Sequence, residues 1–256
     1  MIRFGTIDFA NAYPFFYALH RQIIPNNARI HFGSPVENNT MLKKGLLDVA
    51  LISSAAFLAD RYSYILLSDL GLAGTKSIVS NRIFFKEEDL QLHQRKVYLP
   101  SYSATSSQLL QILCRYFWHV TPIFEKYDHS PEALFNQEYP FLVIGDACLK
   151  YQNTSGFNSL DILHAWHEAT NKSFIFGVIA TNNASFKQNR EGIIEFHRLL
   201  QNSFTWAQEN QEIIVQETSQ ELGKTEKEMR EYFNTIEYRL LSKHFHGLDY
   251  FSTFRP

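Results

Sequence analysis

The sequence predicts an α/β protein of two lobes with a ligand cleft between them, and three observations carry that expectation. Apolar segments suited to strands alternate with amphipathic segments suited to helices. The layout of strand, polar helix start, helix and strand occurs first from residue 2 and again from about residue 94. Several strands end in small polar residues, at the carboxyl edge where open α/β sheets bind ligands. A single doubly wound sheet is the alternative arrangement of the same elements.

The opening strand spans residues 2–5, and residues 6–16 turn it into a helix. Asn11 is placed to cap that helix, and Pro14 suits a first turn, where its missing N–H has no partner. Residues 29–34 form a strand, and 36–47 a helix with Met41, Leu42 and Leu46 on one side and Gly45 near its end. Residues 48–54 form a near-continuous apolar strand, the pattern of one buried on both faces. Further strands are expected at 64–67 and 78–85, with Gly71 and Gly74 in the turn between them.

The second unit opens with a strand at 96–100, and Ser101 to Ser107 lead into a helix carrying Leu109, Leu110, Leu113 and Phe117. A strand follows at 122–127, a serine-capped helix with proline at its first position from Ser130, and a buried strand at 141–146. After an Asn, Ser and Gly loop to Ser159 come a helix at 160–169 and an apolar strand at 174–180. The rest is helical, at 190–210, 211–222 and 226–240. The lobes are expected to join through the strands at 78–85 and 174–180. One lobe then takes residues 1–83 and 178–256, and the other takes 84–177.

Bulk properties narrow the function. The net charge is −2 and no basic stripe forms, which argues against nucleic acid. No apolar window approaches the roughly 20 residues that span a bilayer, so no membrane partner is expected. Met1 to Gly5 lack the basic and apolar regions of a signal peptide, and Cys114 and Cys148 lie far apart outside metal-ligand spacing. A cytoplasmic location follows as the expectation. The phosphate loop, the dinucleotide fingerprint and the nucleophile elbow are absent from the sequence, and His164 and His167 lack zinc-motif spacing. Neither a metal nor an organic cofactor is indicated.

What remains is a set of small polar residues at strand ends: Asn11, Ser53, Ser54, Ser101, Ser103, Thr105, Ser106 and Asp146. Hydroxyls and helix-start N–H groups hold carboxylates because the donors are preorganised and the helix dipole favours negative charge. Helix capping is the simpler account of each residue singly, and their recurrence in both units points to a small anion in the cleft. Most of the 22 Phe, 13 Tyr and 3 Trp belong to a core. Trp166 precedes the second crossing strand, so its indole is expected to cover the cleft.

Together these stretches resemble the MqnA family of the futalosine route to menaquinone. The likeness rests on residues 8–15, 45–54, 103–106 and 144–149, on Asp161 with Trp166, and on Gly247, Leu248 and Phe251. The resemblance implies a type II periplasmic-binding-protein-like fold that dehydrates chorismate, a small dianion, to 3-[(1-carboxyvinyl)oxy]benzoate, with no cofactor. It implies Asn11 near the reacting ring, Ser53, Ser103, Ala104 and Thr105 as carboxylate-binding positions, and Ser80 as a further cleft serine. This chain departs at Phe9-Ala10, where the family has Tyr-Leu, at residues 76–79, which replace a glycine turn, and at Asp161-Ile162-Leu163, which lacks a glycine. The related 1,4-dihydroxy-6-naphthoate synthase is a second reading, although its Pro-Asn-Asp opening and catalytic histidine are not in register here. A small-anion binding protein without catalysis is the third.

Overall fold

Alternation of apolar strands with amphipathic helices produces two open sheets in the computed structural model, which describes residues 1–128 and 130–255. The chain begins with β1 (Arg3–Thr6), a 3-10 turn (Ala10–Ala12), α1 (Tyr13–His20), β2 (Arg29–Phe32), α2 (Pro35–Lys43), β3 (Val49–Ser53), α3 (Ser54–Ala59) and β4 (Tyr64–Gly74). It continues with β5 (Asn81–Phe85), β6 (Lys96–Pro100), α4 (Ala104–Ile112) prolonged by a π-helical turn (Leu113–Phe117), and β7 (Ile123–Tyr127). A 3-10 segment (Pro131–Asn136), β8 (Phe141–Ile144), α5 (Asp146–Tyr151), β9 (Asn158–Asp161) and α6 (Ile162–Thr170) follow. The chain then forms β10 (Phe174–Asn182), α7 (Asn183–Gln188), α8 (Arg190–Glu209), α9 (Gln211–Leu222), α10 (Glu226–Asn234), β11 (Glu237–Arg239) and α11 (Ser242–Phe251).

The first sheet has the strand order β11-β4-β10-β3-β1-β2 and the second β7-β6-β8-β5-β9. In the first, β1 runs parallel to β2 and β3, whereas β10 returns antiparallel between β3 and β4. All five residues of β3 are buried, as its unbroken apolar run requires when both faces are covered. Helix α8 presents Ile193, Phe196, Leu200 and Phe204 at helical spacing, and its Phe196 ring lies 5.2 Å from Phe4 of β1. The largest apolar core joins both lobes, with Phe4 and Leu51 from one and Ile83 and Leu142 from the other.

Several expectations are corrected. The strands at 78–85 and 174–180 do not join the lobes: β5 lies wholly in the second sheet and β10 wholly in the first. Helix α6 packs on α4, β5 and β9, so the chain passes between the lobes at residues 75–80 and 171–173, and the expected boundaries fall inside strands. Gly71 and Gly74 sit within β4, not in a turn. At Gly71 the reason is close approach, since a Cβ there would stand 2.6 Å from the carbonyl oxygen of Gly177. Helix α2 stops at Lys43 because Gly45 takes φ +70°, and Leu46 is consequently exposed. The segment from Ser130 keeps its serine cap and proline but forms 3-10 turns instead of an α-helix. The last expected helix ends at Asn234, where β11 and α11 follow.

Candidate functional site

Helix starts and strand ends from the two lobes meet around a cavity of about 80 Å³. Asn11, Ser53 and Phe176 line it from the first lobe, and Ser103, Ala104 and Thr105 from the second, with Ser80 on the connecting segment. No ionisable side chain is among its described lining residues. Any charge that enters must therefore be met by N–H groups, hydroxyls and an amide.

Helix α4 supplies the N–H groups. Its first residues, Ala104, Thr105 and Ser106, have no intrahelical partner for their N–H, and no side chain caps them among the described residues. Ser103, the residue before the helix, leaves this start open instead of capping it. An uncapped helix start in a neutral, mostly apolar cavity is a place for an anion.

The hydroxyls divide by what else they bond. Ser53 Oγ accepts from Asn39 Nδ2 at 2.9 Å and from the Ala56 N–H at 3.2 Å. Both its lone-pair positions are occupied, which leaves its own proton for the cavity. Thr105 behaves differently. Its Oγ1 accepts from the Ala55 N–H at 3.0 Å and lies 3.3 Å from Ser54 Oγ. The Ser54 proton goes to the Ile175 carbonyl at 2.6 Å, so Thr105 donates to Ser54. The Thr105 hydroxyl thus ties the lobes together at a residue that lines the cavity. Ser80 is held by its neighbours: the Ile78 N–H donates to Asp161 Oδ2 at 2.7 Å, and the Ser80 carbonyl accepts from the Gly145 N–H at 2.8 Å.

Asn11 sits in the 3-10 turn and makes no side-chain cap, contrary to the capping expectation. Pro14 does stand in the first turn of α1. Asn11 Oδ1 is buried and has no hydrogen-bond partner among the described residues.

Trp166 does not cover the cleft. It is fully buried on α6, with ring centroids 6.0 Å from Phe117, 5.7 Å from Phe174 and 5.9 Å from Phe251. The π-helical turn, β10 and α11 enclose it as core. His164 and His167 lie on the same helix, outside the cavity lining, and the described residues contain no group of three or more potential metal ligands.

Two residues near the site, Asn39 and Tyr232, escape the sequence reading, and Asp146, which that reading includes, has a partner it does not show. Asn39 gives no sequence signal, because its clamp on Ser53 spans two elements. Asp146 is legible as a polar residue after a buried strand, but its partner is not: both carboxylate oxygens accept from the Ala10 N–H of the other lobe at 3.1 Å. Burial pushes the Asp146 carboxyl up to about 7, with the Ala10 bond opposing and the charges of Asp8 and Glu221 adding. Tyr232 follows the apolar spacing of Met229 and Phe233 on α10 and reads as core, and its buried hydroxyl has no hydrogen-bond partner among the described residues. Burial raises its phenol above the ordinary value, so it stays protonated.

Two sheets facing each other across an anion-suited cavity define a protein of the periplasmic-binding-protein fold. The chain is similar to protein AF1704 from Archaeoglobus fulgidus, with 18% identity, TM-score 0.77, and 98% of this chain and 95% of that one covered. It is also similar to CA3427 of Candida albicans, described as having the generic periplasmic binding protein fold, at 14% identity and TM-score 0.71 over 100% and 91% of the chains. The aliphatic sulphonate binding protein SsuA of Escherichia coli matches at 12% identity and TM-score 0.66 over 92% and 84%. These likenesses show the fold alone. A family model described as menaquinone biosynthesis matches residues 2–255, and the chain belongs to that family. Among curated proteins none matches. No helix among the described residues is long and apolar enough to cross a membrane.

Proposed function

We propose that the protein is a chorismate dehydratase, a carbon–oxygen lyase of menaquinone biosynthesis that forms 3-[(1-carboxyvinyl)oxy]benzoate and water. The observation that carries this reading is the meeting of the open α4 start with Ser53, Ser80 and Asn11 in one neutral cavity. Chorismate is a small dianion whose ring becomes aromatic once the 4-hydroxyl and the neighbouring C3 proton have left. The protein is required to orient it, exclude water and stabilise the departing oxygen.

In this reading the α4 N–H groups and Ser103 take one carboxylate, and Ser53 contributes its free proton. Asn11 and Ser80 face the ring and the leaving hydroxyl. The described cavity lining offers no carboxylate or imidazole as general base, which leaves the side-chain carboxylate of chorismate itself as the proton acceptor. The same absence of a lining histidine weighs against the naphthoate synthase reading. The reading includes no cofactor and no nucleic-acid or membrane partner, and it retains the cytoplasmic expectation.

Incubation of the purified protein with chorismate tests it. The diene absorbance is expected to fall while mass spectrometry finds a product lighter by one water. Tight chorismate binding with no change in spectrum or mass would favour a non-catalytic anion-binding protein.

A further inference from the structure

The dipeptide Gly145-Asp146, where β8 ends and α5 begins, holds the backbone on both sides of the cavity that the proposed reading sets against the ring. On one side the Gly145 N–H donates to the Ser80 carbonyl at 2.8 Å. On the other, Asp146 reaches across to the first lobe, where the Ala10 N–H donates to Oδ1 and Oδ2, each at 3.1 Å. Ala10 opens the 3-10 turn that carries Asn11, and Phe9 before it supplies no side-chain cap. The cap of that turn therefore comes from the opposite lobe.

Gly145 makes the approach possible. Its φ of +66° and ψ of −147° lie where L side chains are rarely found, and a Cβ there would stand 2.9 Å from the Phe9 ring. Phe9 packs against bare glycine backbone, which brings the next N–H, that of Ala10, to Asp146. Phe9, Asn11, Ser80 and Gly145 all line the cavity, whereas Asp146 is not among its described lining residues. Asp146 touches the Asn11 turn and not the ligand.

We infer that Asp146 is a positioning residue: by capping the Asn11 turn from the opposite lobe, it registers Asn11 against Ser80 when the lobes are together. The inference deepens the proposed reading and rests on it only for its kinetic consequences. A turn of three residues has few bonds of its own, here the Ala12 N–H to the Phe9 carbonyl and the Tyr13 N–H to the Ala10 carbonyl. Asn11 Oδ1 has no hydrogen-bond partner among the described residues, so the backbone is where Asn11 is held. A shift of about 1 Å in a group that meets the reacting atoms can cost about 100-fold in rate, and a hold of this kind guards against it.

Two variants of the full chain test the inference: Asp146→Asn keeps an oxygen for the Ala10 N–H, and Asp146→Ala removes it. Both should fold, because the lobes also share an apolar core. In ligand-free wild type, NMR should find the Ala10 amide exchanging with water at least about tenfold more slowly than an unbonded amide. That protection should disappear in Asp146→Ala and persist in Asp146→Asn, and the Asn11 amide signals should move in the alanine variant alone. An unprotected Ala10 amide in the wild type, or Asn11 signals that stay in place, overturns the inference whether or not chorismate is a substrate. In turnover, Asp146→Ala should lower kcat about tenfold with KM within about twofold, and Asp146→Asn should stay within about threefold of the wild type. On the Asn11→Ala background, Asp146→Ala should cost less than about twofold, because Asp146 acts through Asn11. Equal losses on both backgrounds, or an asparagine variant as slow as the alanine one, overturn the inference. If the wild type turns over no chorismate, the functional reading fails and the exchange measurement alone decides.

Discussion

Ser53, Thr105 and Asn11 show how much depends on where each proton goes. Ser53 and Thr105 look alike in sequence, as hydroxyls at the end of a strand and at the start of a helix. The structure gives the first a free proton and commits the second to Ser54. Sequence locates such residues because the carboxyl edge of a strand and the start of a helix are local features. It does not reveal the partners, since Asn39 reaches Ser53 from another element and Thr105 reaches Ser54 from the other lobe. Asn11→Ala is expected to lower chorismate turnover by about 100-fold or more while the melting temperature changes little, because the amide bonds no described neighbour. Normal turnover in that variant would remove Asn11 from the chemistry.

Elements with long apolar patterns are legible, and short ones depend on neighbours. The strand expected at 96–100 matches β6, and the helix expected at 211–222 matches α9. The strands β9 and β11 are four and three residues long and largely polar, so pairing with β5 and β4 decides them. Trp166 illustrates the same limit. Its helix is predictable, but the aromatic cage that receives it comes from β10, α11 and the π-helical turn. Trp166→Ala should cost about 3–5 kcal/mol in urea unfolding and leave the KM for chorismate unchanged in the folded fraction. A raised KM with normal stability would return the indole to the cleft.

At the scale of the molecule, polar contacts join the lobes beside their shared apolar core. Ala10 donates to Asp146, and Ala55 donates to Thr105. Repeated strand and helix units make two lobes legible in the sequence. The connecting segments are not, because sheet membership of β5 and β10 depends on pairing between residues far apart. Asp146 makes lobe contact sensitive to pH. Its folded pKa of about 7 exceeds the ordinary value of 3.8, so the native protein holds a proton that the unfolded chain has released between those values. The stability it contributes is present below about pH 4 and is lost as pH rises through about 7. The melting temperature of Asp146→Asn should therefore fall less than that of the wild type between pH 5 and 8. Parallel curves would contradict the assignment.

The claim beneath all of this is that N–H groups at an uncapped helix start, with no basic side chain, grip the anionic ligand. Ala104→Pro removes one of those N–H groups at a helix position that tolerates proline, after a residue already in the extended region at φ −123° and ψ 100°. The direct measurement is calorimetric binding of 3-[(1-carboxyvinyl)oxy]benzoate to the wild type and to this variant. The account predicts about a tenfold loss of affinity in a protein that melts as the wild type does, and equal affinities would contradict it.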